Sequence, residues 1–104
     1  MLSALELHER ARVASRAWRF NQARQLLLKG LERAESDATR AILEGTLGFV
    51  EAELGDKHAG LALIDSALKQ RDVLPDTEVG KLYAQRALLR TRLGEVRPAL
   101  VDYA

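Results

Sequence analysis

The stretch Gly48–Ala67, GFVEAELGDKHAGLALIDSA, decides how the chain reads. On either side of Gly55-Asp56, apolar residues recur at helical spacing: Leu47, Val50 and Leu54 before it, and Leu61, Ile64 and Leu68 after it. Two helical runs therefore pivot on a very short turn, with Gly55 ending the first of them. Gly48 and Gly60 stand where the two helices would touch. A glycine inside a helix costs about 1 kcal/mol relative to alanine, so these glycines read as points of close contact between helices.

The same grammar continues outward. Ser3-Ala4-Leu5-Glu6 has the form of a capping box, predicting a first helix to about Ala17 with Leu7, Ala11 and Ala14 on one face. A second helix is predicted from Trp18-Arg19-Phe20 to about Glu35, with an apolar stripe of Ala23, Leu27, Gly30 and Leu31. Gly30 in its interior predicts the backbone of a neighbouring helix close by. Ser36-Asp37 starts a third helix, about Ala38 to Leu54, carrying Ile42 and the small Gly45 and Gly48. The fourth, Lys57 to about Gln70, places Asp65 four residues before Lys69, a favourable acid-before-base pair. Arg71–Asp76 is the one real connector, because Pro75 disfavours helix at Leu74 and Asp76 can cap the next helix. That fifth helix, from about Thr77 to Leu93, is ended by Gly94, and Pro98 falls in the first turn of a sixth that is cut short at Ala104.

Aligning Trp18-Arg19, Gly55-Asp56 and Gly94-Glu95 brings the rest into register at intervals of 37 residues (18 to 55) and 39 residues (55 to 94). Ala11, Gly48 and Ala87 precede the three turns at one spacing, and Ala23, Gly60 and Ala99 come after them at another. Gly30 and Ala67 come later, with Leu27, Ile64 and Tyr103 as the large apolar residues between. Helix pairs repeating at such intervals read as a solenoid, in which each hairpin buries its apolar face only against its neighbours.

These residues resemble the tetratricopeptide repeat (TPR) family, whose unit is two antiparallel helices with small residues at the crossing points. The middle unit, residues 41–74, matches best, through Leu47-Gly48, Gly55-Asp56, Ala59-Gly60-Leu61, Ile64 and Ala67-Leu68. The third, 80–104 and incomplete, matches through Tyr83, Ala87, Leu93-Gly94-Glu95, Ala99-Leu100 and Tyr103. The first, about 4–37, departs from the pattern with Trp18-Arg19 at its turn and Gly30 in place of the usual alanine. The resemblance implies an all-α, right-handed solenoid of helical hairpins, about six helices in one domain. Residues 84–95 are also similar to TPR arrays of multidomain bacterial proteins.

Composition narrows the function. Sixteen basic against 15 acidic residues leave a formal charge of +1, which argues against a general nucleic-acid binder. There is no cysteine, hence no disulfide and no thiolate metal site. No apolar run approaches the roughly 18 residues of a membrane span, and the N-terminus lacks a signal peptide's basic and apolar regions, so a cytoplasmic chain is expected. His8 and His58 lie far apart, and no nucleophile, base or phosphate-loop motif accompanies them, so neither an enzyme nor a cofactor or metal site is expected. Asp56 and Glu95 sit where negative charge favours a helix N-terminus. Trp18 and Phe20 are expected to pack between neighbouring helices.

The resemblance further implies a concave face lined by the first helix of each unit. On this sequence it comprises His8, Glu9, Arg12, Ser15 and Arg16; Ile42, Gly45, Thr46, Phe49 and Glu53; and Lys81, Ala84, Gln85, Leu88 and Arg92. Arg12, Arg16, Lys81 and Arg92 outnumber Glu9 and Glu53, and Phe49 with Leu88 offers an apolar floor, so an acidic, partly apolar peptide fits. Some relatives clamp a C-terminal carboxylate with lysine and asparagine; His8, Arg12 and Thr46 stand at three of those positions and only Lys81 agrees, so that specificity is not expected. The alternatives are a homo-oligomerisation module, self-pairing through its first helices, and a sensor domain of a transcription regulator. The unfinished edge Ala99–Ala104 is a further candidate for self-association.

Overall fold

The computed structural model describes residues 1–94. In chain order it contains α1 (Ala4–Arg16), α2 (Phe20–Arg33), α3 (Asp37–Glu53), α4 (Lys57–Leu68), a short 3-10 turn (Arg71–Val73) and α5 (Asp76–Arg92). No strand occurs among the described residues. Glu95, Pro98, Ala99, Leu100 and Tyr103, and with them the sixth helix and the self-association edge, lie outside the described residues.

Local signals place the helix starts. The Ser3 hydroxyl accepts from the Glu6 N–H at 3.2 Å, and Glu6 accepts from the Ser3 N–H at 3.0 Å, closing the capping box. Donation from the Ser3 N–H, and then from the Ser3 side chain, holds the Glu6 carboxyl below its ordinary value. Ser36 caps α3 through Thr39, and Asp56 caps α4 through Ala59 at 3.0 Å. Asp76 does not cap α5: Pro75 occupies the N-cap position and Asp76 is the first helical residue, where its charge still favours the helix dipole.

The three predicted turns share one backbone device. Trp18, Gly55 and Gly94 all have positive φ, at 62°, 107° and 85°. After α1 the Arg19 N–H reaches the Ala14 carbonyl at 2.9 Å and the Trp18 N–H that of Ser15; after α3 the Asp56 N–H reaches Glu51 at 2.9 Å and the Gly55 N–H that of Ala52. This is the Schellman closure, whose left-handed position favours glycine. Trp18 fills that slot in the first hairpin, at a cost of about 1 kcal/mol or more. The left-handed backbone turns its side chain out of the stack. Trp18 is 78% exposed, not packed between helices as the sequence led us to expect, and it touches Phe20 edge-on.

Packing is arranged around α3, which buries seven of its 17 residues. Leu43, Leu47 and Val50 join Ala4, Ala11, Ala14, Ala23 and Leu27 in a core shared with α1 and α2. Ala41 and Ala52 join Ile64, Ala67, Leu68, Leu74, Leu82 and Leu89 in a second core shared with α4 and α5. Each hairpin thus buries its apolar face against the next, at about 25 cal/mol per Å² of apolar surface removed from water. Polar links join the elements at the surface: Arg24 with Glu51, Ser66 with Glu44 at 2.7 Å, and Arg86 with Asp65 at 3.3 Å. Asp65 therefore reaches across to α5 instead of pairing with Lys69, because Arg86 is brought beside it.

α3 and α4 approach to backbone contact. A Cβ on Gly60 would lie 2.6 Å from the Gly48 carbonyl, and one on Gly48 would lie 2.8 Å from the Gly60 carbonyl. Two helix backbones are in contact there, and no side chain fits between them. In the first hairpin the equivalent residues are Ala11 and Ala23, both fully buried. At Gly30 a helix backbone is close, as expected, the Ala4 carbonyl of α1 lying 3.5 Å from where a Cβ would stand, but the tighter neighbour is the Leu43 side chain at 2.9 Å.

Gly60→Ala should therefore lower unfolding free energy by about 1–3 kcal/mol, through overpacking against backbone. Gly80→Ala, in α5 with nothing within 4 Å, should raise it by about 0.5–1 kcal/mol. Urea unfolding of the two variants checks both signs; equal effects would contradict the backbone contact.

Candidate functional site

The helices that open each unit, α1, α3 and α5, lie side by side and leave a groove of about 240 Å³ between them. Each presents one stripe at helical spacing: His8, Arg12, Ser15 and Arg16; Ile42, Gly45, Thr46 and Phe49; Glu78, Lys81, Leu82 and Gln85. Ala41 and Leu74 complete the lining. The floor is apolar, formed by Ile42, Phe49, Leu74 and Leu82. Leu82 can lie on α3 because Gly45 has no side chain: a Cβ there would come 2.6 Å from Leu82 Cδ2.

Of the residues expected on this face, His8, Arg12, Ser15, Arg16, Ile42, Gly45, Thr46, Phe49, Lys81 and Gln85 come together in the lining. Glu9, Glu53, Ala84, Leu88 and Arg92 do not. Arg92 pairs with Glu53 at 3.8 Å, so the two charges engage each other, and Leu88 is exposed beyond the groove instead of forming its floor. Ala41, Leu74, Glu78 and Leu82 were not anticipated. Glu78 and Leu82 come from extending the Lys81 and Gln85 stripe by three residues. Leu74 carries no periodic signal, since it belongs to the non-helical connector and is buried only by the way that connector returns to α5.

One polar link crosses the groove. His8 Nε2 lies 2.8 Å from Thr46 Oγ1, and Thr46 Oγ1 lies 3.3 Å from the Ile42 carbonyl. The two side chains share one hydrogen bond, whose direction follows the imidazole tautomer, and the threonine hydroxyl has only one proton to divide between His8 and the Ile42 carbonyl. Burial pushes the imidazole below its ordinary value of 6.5, and the nearby Arg12 and Lys81 act in the same sense against Glu78 and Glu9. Ser15 Oγ is buried and has no hydrogen-bond partner among the described residues.

The rim is basic. Arg12, Arg16 and Lys81 face the single carboxylate of the lining, Glu78. Arg12 pairs with Glu9 at 3.4 Å and Lys81 with Glu78 at 3.6 Å, both between side chains three residues apart on one helix. Exposed pairs of this kind are worth about 0–1 kcal/mol, so both cations can turn to another anion. Among the described residues no group of three His, Cys, Asp or Glu could hold a metal ion, and no helix is long and apolar enough to cross a membrane.

No protein-family model matches the sequence, and a search of curated proteins returns no match. Among solved structures, the chain is similar to the second TPR domain of Spaghetti (RPAP3), solved bound to the HSP90 peptide SRMEEVD. The TM-score is 0.79 at 17% identity, over 96% of this chain and 85% of that one. The fold is thus that of a TPR domain, with helical hairpins stacked as the resemblance implied.

His8 predicts a pH dependence. Its folded-state value is depressed, so the unfolded chain takes up the proton first as pH falls. The stability of the neutral imidazole is present above pH 6.5 and is lost as pH drops through and below that value. His8→Gln, whose amide can donate to or accept from Thr46, should lose less stability than the wild type between about pH 7 and pH 5.5. Parallel urea midpoints at the two pH values would contradict this.

Proposed function

We propose that the chain is a peptide-binding module whose ligand is an extended acidic peptide lying in the α1–α3–α5 groove, and that it carries out no reaction. The observation behind this reading is the combination of an apolar floor with a rim of Arg12, Arg16 and Lys81 against one carboxylate. An apolar slot binds side chains of an extended chain, and a ring of cations selects a negatively charged one. The similar structure is bound to SRMEEVD, which carries three acidic side chains in seven residues. That likeness supports the groove as the place of binding.

The details differ from a lysine–asparagine clamp. The His8–Thr46 bond ties two of the corresponding positions to each other, and neither side chain carries the two amide donors of an asparagine. Arg12 and Lys81 supply the charge. Arginine adds a planar fork suited to a carboxylate, which makes a side-chain carboxylate as good a target as a chain terminus.

The reading is tested by fluorescence anisotropy with labelled SRMEEVD and with a set of acidic heptapeptides. Binding should weaken as salt is raised, and Arg12→Glu/Lys81→Glu should reduce affinity about tenfold or more while leaving the helical circular dichroism unchanged. Equal affinity of wild type and the charge-reversed protein, or no binding of any acidic peptide, would overturn it.

A further inference from the structure

Three equivalent turns carry two glycines and one tryptophan in the same left-handed backbone, and a bulky residue is a genuine outlier there. The fold gains little from it, since Trp18 is 78% exposed and its one ring contact among the described residues is with Phe20, 5.7 Å away. Phe20 in turn meets Phe49 at 6.2 Å, and Phe49 lines the groove. A run of three edge-to-face aromatic rings therefore leads from the groove floor to an exposed indole at the α1–α2 turn. The flanking Arg16 and Arg19 are exposed, and their side chains form no ion pair or hydrogen bond among the described residues.

We propose that Trp18 is an anchor for the bound peptide: where the peptide leaves the groove past Phe49, an aliphatic side chain packs on the indole while neighbouring acidic groups face Arg16 and Arg19. This rests on the groove reading and deepens it, naming the peptide as acidic with an aliphatic residue placed to reach the turn. Charge complementarity selects such a partner over a neutral or basic one, and exposed tryptophan is the side chain most enriched at binding hot spots. A strained backbone at an exposed aromatic residue is what a binding role explains and packing does not.

Trp18 is the only tryptophan of the chain, so its own emission reports the contact. Titration with unlabelled SRMEEVD should shift that emission to the blue and protect it from acrylamide, saturating at the Kd found by anisotropy. Trp18→Gly returns glycine to the turn. It should keep or raise the melting temperature while lowering affinity about tenfold. SRAEEVD, without the methionine side chain, should bind the wild type more weakly than SRMEEVD but bind Trp18→Gly equally well. Peptide binding with unchanged emission, full affinity of Trp18→Gly, or a clear fall in its melting temperature would overturn the anchor and leave the groove standing. No acidic peptide binding at all would remove the groove reading and the anchor with it.

Discussion

The stack depends on the place where α3 and α4 meet backbone to backbone. Gly48 and Gly60 each present a carbonyl within 2.8 Å of where the other's Cβ would stand. That contact sets the spacing of the middle hairpin, and the middle hairpin sets everything else, because α3 contributes to both cores. The conformational cost of glycine in a helix is offset by dispersion and apolar burial from two helices packed at their closest approach. In the first hairpin Ala11 and Ala23 place a methyl group on each side of the same crossing.

Placing α3 between two hairpins has a consequence for the surface. With α2 and α4 packed behind, α1, α3 and α5 are left side by side with one stripe each toward the groove. The apolar part of that lining is Ile42, Phe49, Leu74 and Leu82, and the long basic side chains Arg12, Arg16 and Lys81 line it beside them. The Arg12–Glu9 and Lys81–Glu78 pairs hold these cations in place without burying them. Such a surface suits the anionic peptide we propose, since the pairs it would give up are weak.

What was legible in the sequence is what local rules govern. Ser3-Glu6, Ser36 and Asp56 cap as their residue types dictate, and the alignment of Trp18, Gly55 and Gly94 located all three positive-φ turns. The groove positions on α1 and α3 were named from the resemblance to the TPR pattern, carried onto this chain's register, and not from spacing alone. What was not legible came from tertiary context. Whether Trp18 is covered depends on whether another element reaches the first turn, and its spacing carries no such information. Leu74 is buried by the path of a connector that has no period. Asp65 and Arg92 chose partners on another helix, Arg86 and Glu53, over the neighbours or ligand that the sequence offered. The notch at Gly30 is filled by Leu43, a side chain from the next hairpin.

The central claim is that the concave stripe of α1, α3 and α5, and not the outer wall, meets the ligand. Amide chemical-shift mapping of the isotope-labelled protein with SRMEEVD measures this residue by residue. The largest shifts should fall around His8, Thr46, Phe49 and Lys81, with Gln25 and Lys29 of α2 and Ala62 of α4 unmoved. Shifts concentrated on α2 and α4, with the groove residues silent, would contradict the account.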